Sequence, residues 1–233
     1  MPYVVTQNTK SIEYDPFYNI TEQRDIVVEG GAVYPTGSES NYVIPIGIPM
    51  SPVTQSTTGN YKPIRRAAVS TTASGGASAL VYVECADGFA AGDTVGIFTG
   101  VTGTAMATSV TSHTIAGIDY DNNTMTLSGN VNTAYNTGTA VVEVLENGLF
   151  HIYAGGVSAQ NCCYLGDNIQ TRVEEQGGAV TQNVDSPAVG YVAAQVGQQD
   201  LVNISTNALP LGIDTQCPDF DYVPTTPGIG ARI

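Results

Sequence analysis

The chain has 233 residues, of which 42% are hydrophobic and only 12% charged, with 21 acidic against 7 basic side chains and a formal net charge of −14. Such an acidic balance repels phosphate, which excludes nucleic acid and anionic membrane surfaces as partners. Charged residues at about half the usual share leave Ser, Thr, Asn, Gln and Gly to cover the surface.

With 26 Gly, 12 Pro, 13 Tyr and no Trp, the composition favours strands and turns, and an all-β protein is expected. The opening "MPYVVTQNTK" has neither the basic start nor the apolar stretch of a secretory signal. No apolar run approaches the roughly 18 residues that span a bilayer. Synthesis and folding in a reducing cytoplasm are therefore expected. Cys85, Cys162, Cys163 and Cys217 lack CxxC spacing and read as small apolar fillers. The N-x-S/T triplets at Asn19, Asn122 and Asn203 are read as chance.

Residues 1–58 scatter apolar among polar side chains, and only "DIVVEGGAV" suggests a short strand; this segment is expected to be an extended N-terminal arm. Within it, Pro45, Pro49 and Pro52 divide the apolar stretch 42–53, which predicts an edge strand or extended arm, since proline lacks a ladder donor. Residues 59–66 read as a junction hairpin. Over residues 67–147, "ALVYVECADG", "DTVGIFTG", "HTIAGIDY", "MTLSG" and "GTAVVEVLENG" are short strand patterns at close spacing. The turn formers Asp121, Asn122 and Asn123 make a hairpin of the middle pair, and the whole predicts a small β-barrel or sandwich.

"GLFHIYAGG", "NCCYLGD", "NIQTRVEEQGGAV", "PAVGYVAAQV" and "DLVNIST" continue the texture through a second β-domain at 148–215. Gly190 and Gly197 argue for strand over helix in the Ala- and Gln-rich stretch 187–199. The last residues, 216–233, read as an extended tail. Either two β-domains follow one another, or one carries the other as an insertion.

No catalytic, cofactor-binding or metal-binding residue is assigned, and no enzyme is expected. His113 and His151 read as ordinary strand histidines, because Ser112 and His113 point to opposite faces. "DYDNN" at 119–123 lacks the central Gly and distal Glu of a calcium loop and reads as a turn. Glu174 and Glu175 diverge on a strand, and neither "GGAV" (30–33, 177–180) precedes a helix that could cradle phosphate. The basic side chains are concentrated instead in "GNYKPIRRAAV". Tyr61, Lys62, Arg65 and Arg66 there form either a docking patch for an acidic partner or a junction that pairs with the chain's own carboxylates.

"TQSTTGNYKP" (54–63), followed by "SPAVGYVAAQ" (186–195) and "GQQDLVNIS" (197–205), resembles the early hairpin and later strands of the head decoration, or cement, proteins of tailed bacteriophages. The stretch 79–129 is similar to small β-barrel modules of phage structural proteins. The resemblance extends loosely over residues 60–220; relative to the family, the middle module and the N-terminal segment are additional. It implies a structural protein on the outer surface of an icosahedral capsid. The partner would be the major capsid protein and the working form a homo-oligomer, a trimer or else a dimer, made in the host bacterial cytoplasm. Tyr61, Lys62, Arg65 and Arg66 would be the docking residues. A reading from another class is a tail, fibre or baseplate β-module that binds host glycan through loop tyrosines such as Tyr34, Tyr42, Tyr61 and Tyr135.

Overall fold

A computed structural model describes residues 17–37, 42–52, 60–71, 78–99, 112–131, 140–145, 162–174, 181–197 and 220–223. The strands run β1 (Phe17–Val28), β2 (Val43–Ile44), β3 (Pro49–Pro52), β4 (Tyr61–Pro63), β5 (Arg66–Ala68), β6 (Ser78–Tyr82), β7 (Thr94–Thr99) and β8 (His113–Asp119). They continue as β9 (Thr124–Val131), β10 (Ala140–Val144), β11 (Cys163–Leu165), β12 (Ile169–Gln170), β13 (Arg172–Glu174), β14 (Thr181–Asn183), β15 (Ser186–Gly197) and β16 (Phe220–Val223). The protein is all-β.

Local pattern explains much of this. In β9, "TMTLSGNV", Met125, Leu127 and Val131 turn inward while Thr126 and Ser128 face solvent, the period-two alternation of a half-buried strand. β8 and β9 pair antiparallel across the turn at 120–123, where Asn123 takes a positive φ of 49°. Asp119 fixes that turn by accepting hydrogen bonds from the Asn122 backbone N–H at 3.1 Å and side-chain amide at 2.7 Å.

The strands assemble into two closed rings. One runs β1-β4-β3-β11-β15, and β15 pairs back onto β1. Its interior holds Ile26, Val28, Ile48, Met50, Tyr61, Cys163, Leu165 and Val192. The other runs β5-β10-β7-β8-β9-β6 and closes through a Val69↔Val83 bridge, with Ser70 N–H donating to Tyr82 O and Glu84 N–H to Ala68 O. Val69, Val81, Phe89, Val95, Ile115, Met125 and Val142 lie at its centre. Closure removes the edges of the ring strands, while β16, paired to β15, and the two-stranded pairs β2–β12 and β13–β14 lie outside the rings.

The second barrel is inserted into the first. The chain leaves β4 at Pro63, enters β5 at Arg66, and rejoins the first barrel at β11. In β15 Gly190 lets β11 approach: a Cβ there would lie 2.6 Å from Cys163 Sγ. The stretch 187–197 is strand throughout, in line with glycines that disfavour a helix there.

Three expectations need correcting. The arm expected over residues 1–58 is, where described, built into the first barrel: β1 pairs with β15 from Phe17↔Val196 to Val28↔Ser186. The second β-domain expected at 148–215 therefore completes its sheet with β1, β3 and β4. The tail expected at 216–233 contributes β16, parallel to β15.

Pro49 and Pro52 also lie in an interior strand, since β3 has β4 on one side and β11 on the other. The ladder survives because these prolines need only accept. Ile64 N–H donates to Pro49 O at 2.7 Å, and the β11 side bonds through Ile48 O, which takes Leu165 N–H at 2.9 Å. The stretches "GLFHIYAGG" and "DLVNIST", together with His151, lie outside the described residues.

Candidate functional site

The basic cluster sits where the chain passes from one barrel to the other, and each of its cations faces a carboxylate of the same chain. Lys62 on β4 lies 3.6 Å from Glu29, with side-chain exposures of 24% and 35%. Arg65, in the two-residue link between β4 and β5, donates from Nη1 to Asp93 Oδ2 at 2.8 Å and to Gly88 O at 3.3 Å. Arg66 on β5 is directly opposite Glu143 on β10. Its Nε donates to Glu143 Oε2 at 2.8 Å and its Nη2 to the same oxygen. These side chains are 2% and 3% exposed, so the pair is fully inside.

Tyr61 is 5% exposed within the first barrel's core. Burial raises its phenol pKa, followed by the neighbouring Cys163, and a hydrogen bond with Arg24 partly offsets both. Of the four residues expected to dock a partner, Tyr61 and Arg66 are buried and Arg65 nearly so. Lys62 is the most solvent-accessible member.

Around the cluster, Glu29, Gly30, Gly31, Lys62, Pro63 and Arg65 line an open cleft of about 170 Å³. The first "GGAV" forms its wall, but three of its amides are committed: Gly30 N–H to Asp185 Oδ1, Gly31 N–H to Thr171 O and Ala32 N–H to Glu29 O. With these donors and the cleft's cations engaged within the chain, the arrangement holds backbone together and offers no anion cradle.

Tyr34 closes the far side of the joint. It is 3% exposed, and burial first, then the nearby Cys85 and Asp87, holds its phenol well above the usual range. Cys163 lies on β11 in the first barrel's core, and Cys162 directly precedes that strand. Both are buried, and burial pushes each thiol up to about 12, so each stays protonated and unreactive near neutrality. Cys85 is half-buried, and Cys217 lies outside the described residues.

The tyrosines that a glycan site would use are placed differently from that expectation. Tyr34 and Tyr61 are core residues, and Tyr42 lies under the Arg172 guanidinium, 3.7 Å from ring centroid to Cζ. Tyr135 is outside the described residues. His113 sits half-buried on β8.

Sequence reasoning found the cations and left their partners unassigned. Glu29, Asp93, Glu143 and Tyr34 carry no local signal, because the fold brings each in: Glu143 through the β5–β10 register, and the others from segments between strands. No family model matches the chain, and no curated protein or solved structure matches it either.

Proposed function

We propose that this chain is a structural virion protein that binds the outer surface of an icosahedral phage capsid and stabilises it. One observation carries the reading. Two of the three stretches that resemble cement proteins meet, where described, in one sheet around one core: "TQSTTGNYKP" ends in β4, which pairs with the preceding β3, and "SPAVGYVAAQ" forms most of β15; residues 198–205 of the third lie outside the described residues. The middle segment, which the family resemblance treats as additional, forms a separate barrel inserted between β4 and β11 without interrupting that sheet.

Such a protein acts by adding contact area across capsid joints. Contacts available only on the mature lattice stabilise that lattice by mass action. The partner is the major capsid protein, and the working form is a homo-oligomer, with a trimer the state the resemblance implies. Closed barrels and a sparsely charged surface suit packing at a symmetry axis, where like-charged copies must meet.

Co-sedimentation with mature heads lacking the protein, followed by heating, tests the proposal. Saturable binding and a higher temperature of DNA release are expected. No binding to such heads, with binding to isolated tails or host glycan instead, overturns it.

A further inference from the structure

The joint between the barrels contains more contacts than a covalent linker needs. Within two residues the main chain changes allegiance. Ile64 N–H bonds Pro49 O of the first barrel at 2.7 Å, and Arg65 O accepts Val144 N–H of the second at 3.0 Å. That leaves no slack in the outgoing strand.

Two further attachments come from other parts of the chain. From the first barrel, the 34–37 segment reaches the 86–93 loop of the second. Gly88 N–H donates to Pro35 O at 2.6 Å, and Gly37 N–H donates to Asp87 Oδ1 at 2.9 Å. Gly88 has a φ of +91°, and a Cβ built on it would lie 3.1 Å from the Tyr34 ring. Only glycine meets both demands without strain. The Arg65 guanidinium then ties the linker to the same loop through Asp93 and Gly88 O, while Asp93 Oδ2 also accepts Ala90 N–H at 2.7 Å.

The loop receiving these contacts is itself rigidly seated. Ala86 and Phe89 are fully buried in the second barrel's core, and Tyr120 Oη donates to Phe89 O at 2.8 Å. Force applied to the loop is therefore passed to the barrel as a whole.

We propose that this joint is a latch that holds the inserted barrel at a fixed angle, with Arg65 the positioning residue whose loss turns residues 64–65 into a hinge. The inference concerns the chain itself and is independent of any capsid. It assigns the inserted barrel the role of a rigid projection, carried at a set orientation rather than tethered.

The test places spin labels on an exposed residue of each barrel, Leu80→Cys and Val184→Cys, which are 40% and 37% exposed in the native chain. The background is Cys85→Ser and Cys217→Ser; Cys162 and Cys163 are buried. Pulsed dipolar spectroscopy on the full chain reads the distance distribution between the labels. With Arg65 present, a single narrow distribution is expected. Arg65→Glu, which sets like charge against Asp93, is expected to broaden it about two-fold or more, as a hinge released from its contacts would. Arg65→Met keeps the aliphatic stem and is expected to broaden it in the same direction, which guards against misfolding by the charged variant. Circular dichroism establishes that each variant retains its β-structure. A parent distribution that is already broad, or one that stays narrow in a folded Arg65 variant, overturns the latch.

Discussion

Arg66 and Glu143 face each other across the β5–β10 pairing with almost no access to water. A buried pair is costly to desolvate, and its attraction roughly offsets that cost when the geometry is good. Removing one partner alone strands the other charge. Arg66→Leu or Glu143→Leu is expected to destabilise the inserted barrel by about 3–5 kcal/mol, and the double substitution by much less. Urea unfolding of the three variants provides the double-mutant cycle. Equal and additive losses would show that the charges are not energetically coupled.

That pair also marks the boundary of what could be read from sequence. The β8–β9 hairpin was legible because both its alternation and its turn, Asp119 to Asn123, are local. β15 was legible because Gly190 and Gly197 deny it to a helix. The cluster's cations were legible as an excess of charge in one short stretch. Their partners were not, since Glu143 is 77 residues from Arg66 and only the β5–β10 register brings them together. β1 was legible only at its end, where "DIVV" suggested a short strand, and its first half was hidden for a different reason. From Tyr18 to Gln23 every residue is exposed, so no alternation marks the strand. Its pairing with β15, more than 150 residues away, is what makes it a strand.

The Cys162 and Cys163 thiols set a pH dependence whose sign follows from their burial. For each, the folded pKa of about 12 lies above the ordinary 9.0, so the folded state holds its proton more tightly than the unfolded chain. Their contribution is fully present below about pH 9 and is lost as pH rises toward 12. Urea midpoints are expected to fall when pH is raised from just above neutrality by about two to three units, with a slope of at most about 1.4 kcal/mol per pH unit for each thiol. Iodoacetamide near neutrality is expected to leave both unmodified in the native protein and to alkylate both in urea. Rapid native alkylation of either would contradict the burial argument.

Lys62 is the cluster member that a partner could reach most directly. Its pairing with Glu29 is partly exposed, and such pairs contribute about 0–1 kcal/mol. Lys62→Glu is therefore expected to move the unfolding midpoint little. If head binding draws on this cluster, the same substitution weakens binding and makes it fall less with added salt, because an attractive interfacial charge has been replaced by its opposite. Sedimentation with heads at low and high salt separates the outcomes. Unchanged binding moves the attachment surface away from β4.

Deleting residues 1–40 addresses the role of β1. An arm could be lost without consequence for the fold, but β1 closes the first ring by joining β15 to β4 at Val28↔Tyr61. Its removal takes Ile26 and Val28, 3% and 0% exposed, out of the core and leaves the length of β15 unpaired on that side. The first barrel is expected to unfold or aggregate through the bare edge. The inserted barrel, whose ring and core are drawn from residues 66–144 with no contribution from β1, is expected to keep its amide protection. Hydrogen exchange read by mass spectrometry resolves the two barrels separately. Protection retained in β15 of the truncated chain would return β1 to the status of an arm. Protection lost equally from β8 and β9 would mean that the inserted barrel depends on the first for its stability.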